Sequence, residues 1–271
     1  MKNERISLLQ TARQFARDWK KYREYIFYAT RAELLAETSN AYLDWIWWVL
    51  EPFCLMIVYT IVFGVIFHSH EPYFPLFVFS GITMWRFFAM TVQGSANLIR
   101  ANKMIISRVY IPKQILLLVL MFRNGFKSLL SLFIVFIMML FYHISFSLTW
   151  LLVIPAVILL FSVTYFVSCA VMHVGVFIDD MSYIVNIVVT MLMYFTGTFW
   201  SIENRLPAPY GQIVCRMNPI AYCISLARNG LLYATSSFHW TWFAWLAAAL
   251  LLSLAGTRMI YRSENTYVKM L

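Results

Sequence analysis

The segment RANKMIISRVYIPKQ (residues 100–114) decides how this chain is organised. It holds four basic residues, Arg100, Lys103, Arg108 and Lys113, together with Pro112 and no acid. An apolar run long enough to cross a bilayer lies on each side of it. Short loops rich in Lys and Arg stay on the cytoplasmic side of a membrane, so the segment reads as a cytoplasmic corner between two spans. Orientation alone leaves its other residues unexplained. Met104, Ile105, Val109 and Ile111 stand among the bases and supply apolar surface for a short helix that docks on a partner protein. Pro112 then suits the first turn of the next helix, where a missing N–H costs little.

The chain around this segment is 62% hydrophobic and only 12% charged over 271 residues. Soluble domains are about 45–50% apolar and about 25% charged. That balance predicts an all-α integral membrane protein, because the alternating strands of an outer-membrane barrel are absent. A span takes ~20 mostly apolar residues across a ~30 Å hydrocarbon core. The apolar runs predict six spans, at about 45–67, 74–98, 113–142, 150–177, 183–200 and 240–261, in one domain covering 45–261. Arg123 and Lys127 interrupt the first half of the long third run, where both can snorkel toward the cytosol.

The net charge of +9 sits at membrane edges, which excludes nucleic acid as the natural partner. Eight basic residues precede Asp44, and Arg258, Arg262 and Lys269 mark the tail. The N-terminal region 1–44, the 99–112 loop and the C-terminus are therefore expected in the cytoplasm; the 178–182 turn is then cytoplasmic as well, although Asp179 and Asp180 without a base depart from the usual bias. The 68–73, 143–149 and 201–238 loops are expected outside. The charged N-terminus has no apolar core of a cleaved signal peptide.

Residues 5–27 read as an amphipathic helix, with Leu8, Ala12, Phe15, Trp19, Tyr22 and Ile26 on one stripe. The stripe suits a helix lying in the membrane interface or one packed on a soluble partner. A second short helix is expected over 30–37. The last outer loop, 201–238, has an apolar half, NPIAYCISLARNGLLYA, that predicts re-entrant helices dipping into the outer leaflet. Cys215 and Cys223 in that loop are open to pairing or to remaining free thiols.

No glycine is followed by lysine, so the chain lacks a phosphate-binding loop. If ATP drives its work, the ATPase is another chain. Zinc-protease, paired-cysteine and nucleophile-elbow motifs are also missing, so no catalytic residue, bound metal or cofactor is assigned. His68 and His70 ahead of Glu71 are open to a metal pair or an ordinary outer turn.

Charges inside a membrane are costly and usually face a cavity or a partner. Glu51 lies roughly 9 Å into the first span at 1.5 Å per residue, and Arg86 near the middle of the second. They read either as a polar lining for a charged or hydroxylated substrate, or as a headgroup-level carboxylate and a helix-bonded arginine. Trp45, Trp47 and Trp48 mark the inner interface, and Trp150, Trp200, Trp240, Trp242 and Trp245 the outer one. Trp85, at mid-depth, is the tryptophan such a belt does not explain.

Taken in order, the N-terminal amphipathic helix, WIWWVLEP, SGITMWRFF, NLIRANKMIISRVYIPKQIL and MNPIAYCISLARNGLLY resemble the membrane subunit of a type-2 ABC exporter. The similarity covers nearly the whole chain and is nearest to the branch that exports O-antigen, capsule and teichoic-acid polysaccharides. The resemblance implies a homodimer in the bacterial inner membrane with two copies of a separate ATPase that holds ATP and Mg. It implies a lipid-linked glycan as substrate, drawn from the cytoplasmic leaflet. By position it implies ATPase coupling by Arg100, Lys103, Met104, Ile105, Arg108, Tyr110, Asp179 and Asp180. It implies a substrate path past Trp45, Trp48, Glu51, Trp85 and Arg86, and an outer gate with Asn218, Pro219, Tyr222 and Arg228. Asp179 and Asp180 stand where relatives often carry an Arg-Asp pair. Competing readings are an ABC exporter of a small lipid, drug or peptide, and a membrane-embedded transferase acting on lipid-linked sugars.

Overall fold

The computed structural model describes residues 7–38, 44–68, 71–207, 209–236 and 238–270. Among these residues every regular element is a helix, and there is no strand. The first helix, α1 (Leu8–Glu37), begins where the Gln10 side chain accepts from the Ser7 N–H at 2.8 Å. It runs unbroken over the stretch where two helices were expected, since Tyr28-Ala29 holds no glycine or proline to stop it. Its inward face, Thr11, Phe15, Tyr22 and Ile26, packs on the protein itself, whereas Leu8 and Trp19 remain partly exposed. The predicted stripe is thus divided between the bundle and the surroundings.

Helix α2 (Asp44–Tyr59) contains a buried Pro52 and continues as a π-helical stretch over Thr60–Ile66. Phe67 N–H closes that stretch by donating to the Val62 carbonyl, five residues back. Helix α3 (Phe74–Ala96) starts with Pro75 in its first turn and forms the spine of the molecule. In its most apolar window 83% of residues are buried inside the protein, against 11% for α2. An α3 wrapped by neighbours can carry small and polar residues; α2 must stay apolar against lipid.

Two four-residue turns follow, α4 (Leu98–Ala101) and α5 (Lys103–Ile106), then α6 (Lys113–Phe141). A short 3₁₀ turn at Leu148–Leu152 leads into α7 (Val153–Phe177). Helix α8 (Met181–Phe195) has 15 residues, about 22 Å at 1.5 Å per residue. That is short of a ~30 Å core. Among the described residues five helical stretches are long and apolar enough to cross a membrane, and α8, expected as a full span, is shorter. The chain leaves the helix after Phe195 because Gly197 adopts a left-handed φ of 69° and turns it back.

The expected gate segment folds as α9 (Ile202–Arg205), α10 (Tyr210–Met217) and α11 (Pro219–Leu232). Cys215 and Cys223 are both buried and free, so no disulfide joins them. The last helix, α12 (Thr241–Met270), packs along α7 and reaches well past the apolar run that predicted it. Gly256 lets it approach Cys169, and Tyr165 and Thr257 share a hydrogen bond at 2.9 Å.

Candidate functional site

Three polar constellations stand out against the apolar helices. The first is the segment that opened the sequence analysis. Instead of one short helix it forms α4 and α5, joined by Asn102, whose side chain donates to the Leu98 carbonyl at 2.9 Å. Ile99 and Ile106 are buried and anchor it, while Met104, Ile105, Val109 and Tyr110 lie exposed beside Lys103 and Arg108. Four large apolar side chains left outside on a basic segment form a ready docking surface.

Arg100 is turned away from that surface. It pairs with Asp179 and donates to the Val176 carbonyl at 3.0 Å, tying the α4–α5 segment to the α7–α8 turn. Asp180, beside it, occupies the N-cap position of α8 and is exposed. The other end is held by Glu264 of α12, which accepts from Tyr110 Oη at 2.8 Å and from the Lys113 N–H at 3.3 Å. Partial burial, then this carboxylate, push the Tyr110 hydroxyl well above its ordinary range. Glu264 was invisible to sequence reasoning, lying more than 150 residues away on a helix expected to end near Tyr261.

The second constellation lies between α2, α3 and α6. Glu51 and Arg86 form a two-pronged pair, with both N–O distances at 2.8 Å. The side chains are 59% and 20% exposed, respectively, so the pair faces an opening. Sequence depth puts Glu51 roughly 9 Å into the first span and Arg86 near the middle of the second, about two turns apart at 1.5 Å per residue. The two meet because α3 and α4 continue deeper toward the end from which α2 starts. The cavity beside them, about 200 Å³, is also lined by Trp47, Trp48, Asn124 and Lys127. Lys127 pairs with Glu37 and lies over the Trp48 ring at 5.3 Å. Arg123 pairs with Glu33 at 3.1 Å and Glu37 at 3.5 Å, so the last turns of α1 are clamped to α6. Asn124 donates to Thr91 at 3.1 Å, and its buried Oδ1 has no partner among the described residues. Trp45 is 58% exposed on α2. Trp85 does not join the cavity wall; it is buried in the core against Phe88. Gln93 donates to Asn186 at 2.8 Å, linking α3 to α8.

The third constellation centres on Arg228 of α11, only 4% exposed. Its guanidinium donates to the carbonyls of Phe77 (3.0 Å), Gly197 (2.8 Å) and Thr198 (2.6 Å) and stacks on the Phe77 ring at 3.5 Å. One side chain thereby holds α3, the α8–α9 turn and α11 together. Gly81 makes room for it, since a Cβ there would lie 2.0 Å from Nη2. At the start of α11 the Asn218 side chain accepts from the Ile220 and Ala221 N–H groups, with Pro219 in the first turn. Tyr222 is buried and its hydroxyl accepts from the His239 N–H at 3.0 Å. Glu71 accepts from Asn204 at 2.7 Å and from Tyr233 at 3.1 Å, holding the outer turn to the same region. Ser69 and His70 lie outside the described residues, and among those described no group of three or more His, Cys, Asp or Glu could hold a metal.

Comparison with known proteins adds to this geometry. The family model described as ABC-2 type transporter matches residues 26–232. An O-antigen export system permease protein RfbA of Myxococcus xanthus is 24% identical over 209 residues, covering 76% of this chain and 80% of that one. A protein of the same name from Klebsiella pneumoniae is 20% identical over 245 residues, covering 89% and 93%.

Proposed function

Because the chain belongs to the ABC-2 type transporter membrane family, we propose that it is the permease subunit of an ATP-driven exporter of a lipid-linked polysaccharide. The substrate is of the O-antigen, capsule or teichoic-acid class. The observation that carries this reading is the exposed Met104, Ile105, Val109 and Tyr110 surface, braced from both ends by Arg100–Asp179 and Glu264. A rigid, apolar and basic knob fits the groove of a separate ATPase. That ATPase holds ATP and Mg²⁺, and this chain supplies the path, the gate and the grip.

In this reading two copies of the chain and two ATPases assemble in the bacterial cytoplasmic membrane. Both termini face the cytoplasm. Helix α8 with the 196–200 turn is a short fifth crossing, and α10 with α11 is a re-entrant gate. Closing of the ATPases pushes on α4–α5 and on the α7–α8 turn together, since Arg100 couples the two. The Trp45, Trp48, Glu51 and Arg86 face meets the phosphate and first sugars of the substrate, and the layer around Asn218 and Arg228 opens to the outside. The transferase alternative loses support, because Asp179, one of the two acids it would need, is tied to Arg100.

The test is Lys103→Glu combined with Arg108→Glu. The double variant should insert in the membrane at normal yield and lose its ATPase on co-purification. Cells relying on it should accumulate polyprenyl-linked polymer inside. Retention of the ATPase at wild-type level would defeat the docking assignment. A deletion strain free of trapped polymer would point to a small lipid, drug or peptide substrate instead.

A further inference from the structure

A slot of about 670 Å³ opens between α1, α3, α6 and α7, on the other side of Thr83 and Ser128 from the Glu51–Arg86 cavity. Its volume falls in the ~300–1,000 Å³ span of small-molecule sites. The walls are aliphatic and aromatic, with Ile26 and Phe27 from α1, Phe87 from α3, Phe122 and Leu132 from α6 and Phe161 from α7. Water gains little in such a space, because it finds few hydrogen-bond partners there. A fatty chain fills it and restores the dispersion contacts that the walls otherwise lack.

The dimensions and the charges narrow the occupant. Along α6 the slot runs from Met121 to Leu132, ~17 Å at 1.5 Å per residue. Half of a ~30 Å hydrocarbon core is about the same depth. The slot is therefore one leaflet deep. Helix α1 meets α6 at Phe122, Arg123 and Lys127, so its own lining residues stand at the Met121 end. There Arg23 and Arg31, with Phe27 between them, recur every fourth residue and share one helix face. Neither arginine makes an ion pair among the described residues, and no acid lines the slot. The nearby acids Glu33 and Glu37 are engaged by Arg123 and Lys127. The Thr30 hydroxyl also lines the slot and is buried without a partner among the described residues, a donor for an ester or phosphate oxygen.

We infer that this slot binds one anionic glycerophospholipid of the leaflet on which α1 lies. An acyl chain fills the channel between α3, α6 and α7, and the phosphate meets Arg23 and Arg31. The lipid completes the seat of α1 on the bundle. It is a resident of the protein, separate from any exported molecule.

The test uses the full-length protein in nanodiscs of equimolar phosphatidylglycerol and phosphatidylcholine, with retained lipid read by native mass spectrometry after release into mild detergent. Phosphatidylglycerol should be retained over phosphatidylcholine by at least about fivefold, the effect of one basic residue at an anionic surface. Arg23→Gln with Arg31→Gln should remove that preference. Gly125→Leu should remove both lipids by plugging the slot, since a Cβ there meets only Phe87, at an ordinary 3.7 Å. Equal retention of the two lipids by the unaltered protein would overturn the inference. So would a preference untouched by the arginine variant, whatever becomes of the plugged one. Displacement of phosphatidylglycerol by equimolar polyprenyl phosphate would assign the slot to a carrier lipid and overturn it too.

Discussion

Arg86 and Arg228 both project from helices into an apolar part of the molecule, yet they are solved in opposite ways. Arg86 has a carboxylate partner, Glu51, and faces a cavity. Arg228 has no carboxylate within ion-pairing distance among the described residues; three carbonyls and a phenyl ring surround it. Carbonyls satisfy the guanidinium donors without neutralising the charge, so the favourable terms are hydrogen bonding and stacking. Such a site is shaped for one side chain and suits permanent architecture. A half-exposed ion pair is exchangeable, because a phosphate can replace the carboxylate at little cost. The contrast teaches that intramembrane charge by itself does not mark a substrate contact; what surrounds it does.

The largest effect is expected from Arg228→Ala. It strands the Gly197 and Thr198 carbonyls, each costing about 1–3 kcal/mol when buried and unsatisfied, while the Phe77 carbonyl keeps the Ser80 hydroxyl as a donor. The full-length protein should melt several degrees lower or fail to accumulate. Arg228→Lys should recover only part of the loss, because an ammonium lacks the planar fork. Thermal unfolding in detergent reads both variants, and a wild-type melting point for the alanine variant would break the comparison at its structural end.

Glu51→Gln and Arg86→Gln test the other end. Their pair is partly exposed, so unfolding should shift by no more than about 1 kcal/mol. Polymer reaching the cell surface should nevertheless fall about tenfold, the equivalent of one lost charge-assisted contact. The swapped variant Glu51→Arg with Arg86→Glu should regain stability but not export. Restored export in the swap would make the pair a structural brace and erase the distinction.

The smallest effect belongs to Arg100→Gln. Its partner Asp179 is 88% exposed, which limits the pair to a few tenths of a kcal/mol. Stability should stay at the wild-type level, while stimulated ATP hydrolysis in the assembled complex should weaken. A melting shift as large as that of Arg228→Ala would show that burial does not rank these arginines.

Much of this was legible in the residues. Apolar run lengths matched four long helical stretches to within a few residues and the start of α12 but not its end, and the proline-stopped basic segment announced itself by charge and by Met104 and Ile105. The expected span over 183–200 corresponds to a helix shorter than that run, since α8 ends at Phe195. The run FTGTFW dips only over Thr196-Gly197-Thr198 before aromatic residues resume, so run length read through the turn that Gly197 makes. The break expected before residue 30 failed for the converse reason: α1 continues because Arg123 and Lys127 hold its last turns. Arg228 was selected by position, but its acceptors are backbone carbonyls, which have no sequence signature.

By itself the sequence determined that the chain is helical, that it crosses a membrane repeatedly, and which end of each run carries charge. Those properties follow from hydrophobicity, length and periodicity, which are local. Only the tertiary structure decided that Glu51 meets Arg86, that Glu264 braces Tyr110, and that Arg228 closes on Phe77, Gly197 and Thr198. These partners are some 30 to 154 residues apart. Their meeting depends on how far each helix extends and which face it turns inward, and packing sets both.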